Sequence, residues 1–169
     1  GADSVEGGIG DDSIRGQSGA DTLDGGEGND RIAEDSDSSS NLIFGRGGND
    51  TLIAGTGNDS INAGTGDDSV NAGDGANTVY GEDGNDIILA SGGSINQLFG
   101  GNGADTIIST SGGADFIDAG EDLSADSVNA GAGNNTVLGW GGNDTLIAGS
   151  QNDSINAGTG DDSVNAGDG

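Results

Sequence analysis

The sequence contains no cysteine, histidine, methionine, proline or lysine. Without imidazole and thiolate there is no donor set for zinc, haem or an iron–sulfur cluster. The only cationic side chains are Arg15, Arg31 and Arg46, set against 30 acidic residues, for a formal charge of −27. A chain so charged repels phosphate, which excludes nucleic acid and anionic lipid as partners. Hard, oxygen-seeking cations are the expected partners instead, calcium first. No run of about 18 apolar residues exists to insert in a bilayer, and no signal-peptide pattern opens the chain. A histidine for a triad or a metalloprotease helix, a lysine for a phosphate loop and a G-x-S-x-G elbow are all missing, so the segment is not expected to be an enzyme. Disulfides cannot hold it together. With aromatics at 3% and 38 glycines in 169 residues, composition alone describes a chain too poor in apolar surface to fold.

What is present is a period of nine residues. Gly7-Gly8-Ile9-Gly10-Asp11-Asp12-Ser13-Ile14-Arg15 gives the pattern G-G-x-G-x-D-x-U-x in full, U being a branched apolar residue, and Gly25 to Ala33 and Gly100 to Ile108 repeat it. Most other units keep Gly fourth, Asp sixth and Val, Ile or Leu eighth, often with Ala for the first Gly. Units at 34–44 and 119–129 are two residues longer and those at 90–99 and 109–118 one longer, which reads as loop-like insertions. A larger copy is superimposed: 47–75 and 141–169 agree except that Thr56-Gly57 becomes Ser150-Gln151. The chain starts and stops inside a repeat, so it is read as one continuous segment, 1–169, of something longer.

Each unit divides into a Gly-rich turn and a short strand such as Asp-Ser-Ile-Asn, with one aliphatic side chain pointing to one side. Helix is excluded by the glycine content and by the lack of a 3.6-residue apolar period. Eighteen eighth-place residues, Val5 through Val164, form the whole apolar series. So thin a core does not offset backbone ordering entropy by itself, and strands this short must stack on neighbouring units.

The repeated motif, over essentially the whole chain, resembles the repeats-in-toxin (RTX) family. That resemblance implies an all-β parallel β-roll, a β-solenoid, with about two nonapeptide units per coil, hence roughly nine coils and a rod of about 43 Å at ~4.8 Å per coil. It also implies calcium ions held between the turns of successive coils; a β-helix lacking calcium is the alternative. Sixth-place carboxylates are the candidate ligands. If two units make a coil, the even units place Asp12, Asp30, Asp50, Asp68, Asp86, Asp105, Asp126, Asp144 and Asp162 along one edge. The odd units place Asp3, Asp21, Asn41, Asp59, Asn77, Asn96, Asp115, Asn135 and Asp153 along the other. All four Asn fall on one edge, which reads as one continuous calcium column and one interrupted column. Stacked carboxylates repel one another, so folding is expected to be coupled to cation binding.

The same four odd units carry a bulky apolar residue at the ninth place: Phe44, Tyr80, Phe99 and Leu138. Ile53, Leu89, Ile108 and Ile147 follow at the ninth place of the next units. Because the eighth residue points in, the ninth points out, making these eight candidates for a lateral contact, with another copy or a neighbouring domain, or for a patch that covers itself. Trp140, at a second-place turn position, either joins such a contact or stands as a solitary surface aromatic. Asp35-Ser36-Asp37-Ser38-Ser39 starts like an EF-hand loop but lacks its Gly and Glu and is read as a solvated loop. Gly55–Asp59 resembles the ice-binding members of the RTX group, yet only Thr56, Thr65 and Thr159 occupy the relevant third place. The function expected is a calcium-dependent structural or adhesive segment of a secreted or cell-surface protein exported by a type I route. The alternative is the calcium-triggered export and folding domain of a secreted enzyme or toxin.

Overall fold

The computed structural model describes residues 1–34 and 38–169. It contains eighteen strands and, among the described residues, no helix. The odd-numbered strands are β1 (Ser4–Ile9), β3 (Thr22–Glu27), β5 (Leu42–Gly47), β7 (Ser60–Thr65), β9 (Thr78–Asp83), β11 (Gln97–Asn102), β13 (Phe116–Asp118), β15 (Thr136–Leu138) and β17 (Ser154–Asn156). The even-numbered ones are β2 (Ser13–Ile14), β4 (Arg31–Ala33), β6 (Thr51–Ile53), β8 (Ser69–Gly73), β10 (Ile87–Ala90), β12 (Thr106–Ser109), β14 (Ser127–Asn129), β16 (Thr145–Ile147) and β18 (Ser163–Asn165). Each set forms its own nine-stranded sheet in simple numerical order, and the pairing is parallel throughout, as in β7 with β9 and β10 with β12. Two nonapeptides therefore make one coil and nine coils make the solenoid.

Every strand contains one eighth-place aliphatic residue, and register stacks these on one another: Val5 on Leu23, Leu23 on Ile43, Ile88 on Ile107. From Leu23 through Leu146 they are almost wholly buried between the two sheets, with first-place alanines such as Ala54, Ala72 and Ala130 filling the core toward its edges. At the chain ends Val5 and Val164 are exposed, as the outermost coils of a stacked array must be.

Odd strands β1 to β11 are longer than the three or four residues that the repeat predicts. Their pairing continues past the ninth place into the next turn, so that Gly64 stacks on Arg46 and Glu82 on Gly64. Backbone pairing needs no side chain, and glycine at these places lets adjacent coils approach closely. The insertions leave the ladder intact. Asp105 and Asp126 are 21 residues apart, yet they occupy successive rungs just as Asp50 and Asp68 do at 18. Of the Asp35–Ser39 segment, Asp35, Ser36 and Asp37 lie outside the described residues.

Candidate metal centre

The turns before each strand bring the sixth-place residues to the two edges of the solenoid. Each is fixed twice by the next coil. The Asp50 N–H donates to Asp68 Oδ1 at 2.7 Å, while the Asp50 carbonyl accepts from the Ser69 N–H at 2.9 Å. The same N–H to Oδ1 bond recurs without a gap from Asp12 to Asp162 on the even edge. On the odd edge it runs from Asp3 to Asp153, with the Asn side chains accepting through their own Oδ1. Asp and Asn serve this purpose equally, since both offer an acceptor oxygen at the same reach.

The second carboxylate oxygen separates the edges. On the even edge Oδ2 of Asp12, Asp30, Asp50, Asp68, Asp86, Asp105, Asp126 and Asp144 is buried and accepts no hydrogen bond. Among the described residues the ion pairs are Arg46 with Asp24 and the N-terminus with Asp3, so no basic side chain compensates this row. An ionised carboxylate in that position is costly. Burial, reinforced by the neighbouring Asp charges, accordingly pushes Asp68, Asp105 and Asp126 up to about 7, and burial likewise takes Asp50 and Asp86 to about 6. Asp144 is raised for the same reason.

Facing these oxygens are the first-place residues. A methyl group added at Gly45, Gly81 or Gly100 would collide with Oδ2 of Asp50, Asp86 or Asp105, and also with the first-place carbonyl oxygen of the following coil, from Ala63, Gly100 or Ala119. An unsatisfied carboxylate oxygen and a backbone carbonyl oxygen thus converge on a space kept clear by glycine. No group of three carboxylates gathers at one point among the described residues, so most of a cation's shell here must come from carbonyls. An all-oxygen donor set on a glycine-rich turn fits calcium, which accepts six to eight oxygens in irregular geometry. Bound there, calcium supplies the positive charge that the buried row lacks.

The model of the RTX calcium-binding nonapeptide repeat, in four copies, matches residues 1–32, 35–70, 44–79, 62–94, 91–123, 109–146, 122–155 and 141–169. The chain belongs to the RTX family. No curated protein matches it. RTX repeats bind calcium, and the buried Asp row is the feature of this chain consistent with that chemistry.

The RTX odd edge is less uniform. Asp21 and Asp153 resemble the even row in having a buried Oδ2 without a hydrogen-bond partner. Asp59 is buried within the ladder. Asp115 has its Oδ2 held by two hydroxyls, from Ser109 at 2.6 Å and Ser111 at 2.7 Å. At the ends of the columns, Asp3 is exposed and Asp162 half-buried. The serine pair sits in the 109–118 insertion, where the repeat register gives no sign that a side chain would turn inward.

The outward apolar residues are only partly brought together. Tyr80 and Phe99 stack at 4.8 Å between ring centroids with an 8° interplanar angle, and Phe116 tilts against Phe99 at 5.7 Å. Phe44 is set apart from Tyr80 by Asn62 and lies under the Arg46 guanidinium, 4.6 Å from the ring centroid. Leu138 is separated from Phe99 by Asp118. On the other sheet Leu89 pairs with Ile108, whereas Ile53 and Ile147 stand opposite Asn71 and Asn129. Phe116 and the exposed Ile87, both seventh-place residues, extend these patches; alternation about the inward eighth place is the signal that points them outward. Trp140 is exposed, and its indole N–H donates to Asp118 Oδ1 at 2.8 Å.

Proposed function

We propose that this segment is a calcium-stiffened structural rod of a secreted or cell-surface protein, of the kind found in adhesins, surface layers or filaments, and that it is not itself an enzyme. The observation that carries the reading is the even-edge row of buried Oδ2 atoms, which no side chain among the described residues neutralises. Calcium would be held there by Asp12, Asp30, Asp50, Asp68, Asp86, Asp105, Asp126, Asp144 and Asp162 with first-place carbonyls, and at the odd edge by those aspartates that lack an internal donor. Whole-module copying of 47–75 as 141–169 favours a length-determining rod over a one-off export domain. Ice binding is disfavoured because Thr65 stands between Gly47 and Asp83 rather than in a row of threonines.

Circular dichroism of the isolated segment tests the reading. In chelator the spectrum should be that of an extended coil, and millimolar calcium should convert it to β. A spectrum insensitive to both would sink the proposal.

A further inference from the structure

The two edges differ in more than the count of carboxylates. On the even edge nine Asp follow one another without interruption, whereas from Asp21 to Asp153 no two carboxylates of the odd edge occupy adjacent rungs: the order is Asp21, Asn41, Asp59, Asn77, Asn96, Asp115, Asn135, Asp153. Each Asn uses Oδ1 for the ladder and has an amide left over. The Asn77 Nδ2 donates to the carbonyls of Ala72 at 3.2 Å and Gly73 at 3.3 Å, and the Asn135 Nδ2 to those of Ala130 at 3.2 Å and Ala148 at 3.4 Å. The Asn41 Nδ2 reaches the carbonyls of Ser39 and Ala54, and the Asn96 Nδ2 donates to Asp115 Oδ1 at 3.1 Å and to the Ser94 carbonyl. Several of these acceptors are first-place carbonyls, the counterparts of the oxygens that converge with Oδ2 on the even edge. Asp115, the one Asp lying between Asn96 and Asn135, has both carboxylate oxygens engaged.

The first place follows the same division. From Ala54 onward the odd edge carries Ala54, Ala72, Ala90, Ser109, Ala130 and Ala148 at the first place, all essentially buried, whereas the even edge mixes Gly at 45, 81, 100 and 139 with Ala63 and Ala119. Every one of these odd-edge first places therefore carries a side chain, where the even edge leaves the space clear at Gly45, Gly81, Gly100 and Gly139.

We propose that at Asn41, Asn77, Asn96, Asp115 and Asn135 the odd edge is closed without metal, side-chain amides and the Ser109–Ser111 pair donating protons where calcium would otherwise sit. The physical reason is that buried carbonyl and carboxylate oxygens need a positive partner, and an N–H or O–H supplies one without bringing in charge that must be balanced. Alternating Asn with Asp also removes the adjacent-rung repulsion that makes a cation necessary. The roll thus has one calcium edge and one edge whose middle closes itself.

This inference rests on the calcium reading above, and ion counting separates the two. Native mass spectrometry of the segment in saturating calcium should show one ion fewer in Asp86→Asn than in the wild type. It should show one more in Asn77→Asp, which replaces a donor by a charge, and one more in the double variant Ser109→Ala/Ser111→Ala, which frees Asp115 Oδ2. If Asp86→Asn loses an ion but neither odd-edge variant gains one, the metal-free edge is overturned while the calcium reading stands. A wild type that holds no calcium overturns both. Because the serine variant adds no charge, it gives a readout even where Asn77→Asp fails to fold.

Discussion

A sixth-place aspartate in this roll has divided duties. Oδ1 is bound by the backbone of the preceding coil, which sets the spacing between coils, and at Asp50, Asp86 and Asp105 Oδ2 is left facing a carbonyl across a space that a methyl would fill. Burial favours the neutral form, so the sign of the pH effect follows directly. With folded values of about 6 to 7 for Asp50, Asp68, Asp86, Asp105 and Asp126 against about 3.9 in an unfolded chain, the calcium-free fold holds more protons than the coil. Its stabilisation is fully present below about pH 4 and is lost as pH rises through 6 to 7. Lowering the pH from 8 to 5 in chelator should therefore induce β structure in circular dichroism, and an acid titration with no gain of structure would contradict the buried row. Backbone strain gives a second residue-scale test. Gly84 has φ +140° and faces the Gly66 carbonyl, so Gly84→Ala should cost about 1–3 kcal/mol and raise the calcium concentration at the folding midpoint; an unchanged midpoint would show that the turn tolerates a side chain.

At the scale of the strand, the aromatic stack on the odd sheet offers a choice that stability measurements can make. Tyr80 and Phe99 face each other across β9 and β11. If they act as a self-covering pair, a double-mutant cycle with Tyr80→Ala and Phe99→Ala in calcium should give a coupling of about 0.5–1.5 kcal/mol in a segment that sediments as a monomer. A lateral interface would instead show concentration-dependent sedimentation that either substitution abolishes. The existence of this sheet was legible from sequence, because one aliphatic residue in nine with a Gly-rich remainder admits little besides a stacked strand. All eighteen strands contain the predicted eighth-place residue. So was the inequality of the edges, since the four Asn share a parity. What periodicity could not show is how side chains meet between coils. The leftover Asn amides, the clamp of Ser109 and Ser111 on Asp115, and Phe116 against Phe99 all depend on inter-coil register, and two of the three involve an insertion where the nine-residue count slips. The long odd strands were hidden for a different reason: glycine signals a turn in sequence, yet it pairs readily when a neighbouring coil supplies the ladder.

Taken whole, the molecule is a one-dimensional array in which each coil touches only its neighbours, and a charge of −27 opposes the compact state until cations arrive. Small-angle scattering should see the radius of gyration fall from about 43 Å for the unfolded chain to about 15 Å for a compact one of this length on adding calcium. The array also makes a sharper prediction, because parity assigns every unit to an edge. Deleting Ala63–Tyr80 removes one eighteen-residue coil and joins an odd unit to an even one, so both columns stay in register and the segment should fold in calcium with one even-edge rung fewer. Deleting Ala63–Asn71 removes half as many residues but transfers every later unit to the opposite edge. Asn77 then follows Asp50 and Asp86 follows Asp59, so each edge becomes a calcium row over one half of the roll and an amide-closed row over the other. The shorter deletion should therefore do the greater damage, needing more calcium to fold and melting less cooperatively. Equal calcium midpoints for the two deletions would mean that the edges are interchangeable and that the division of labour between them does not hold.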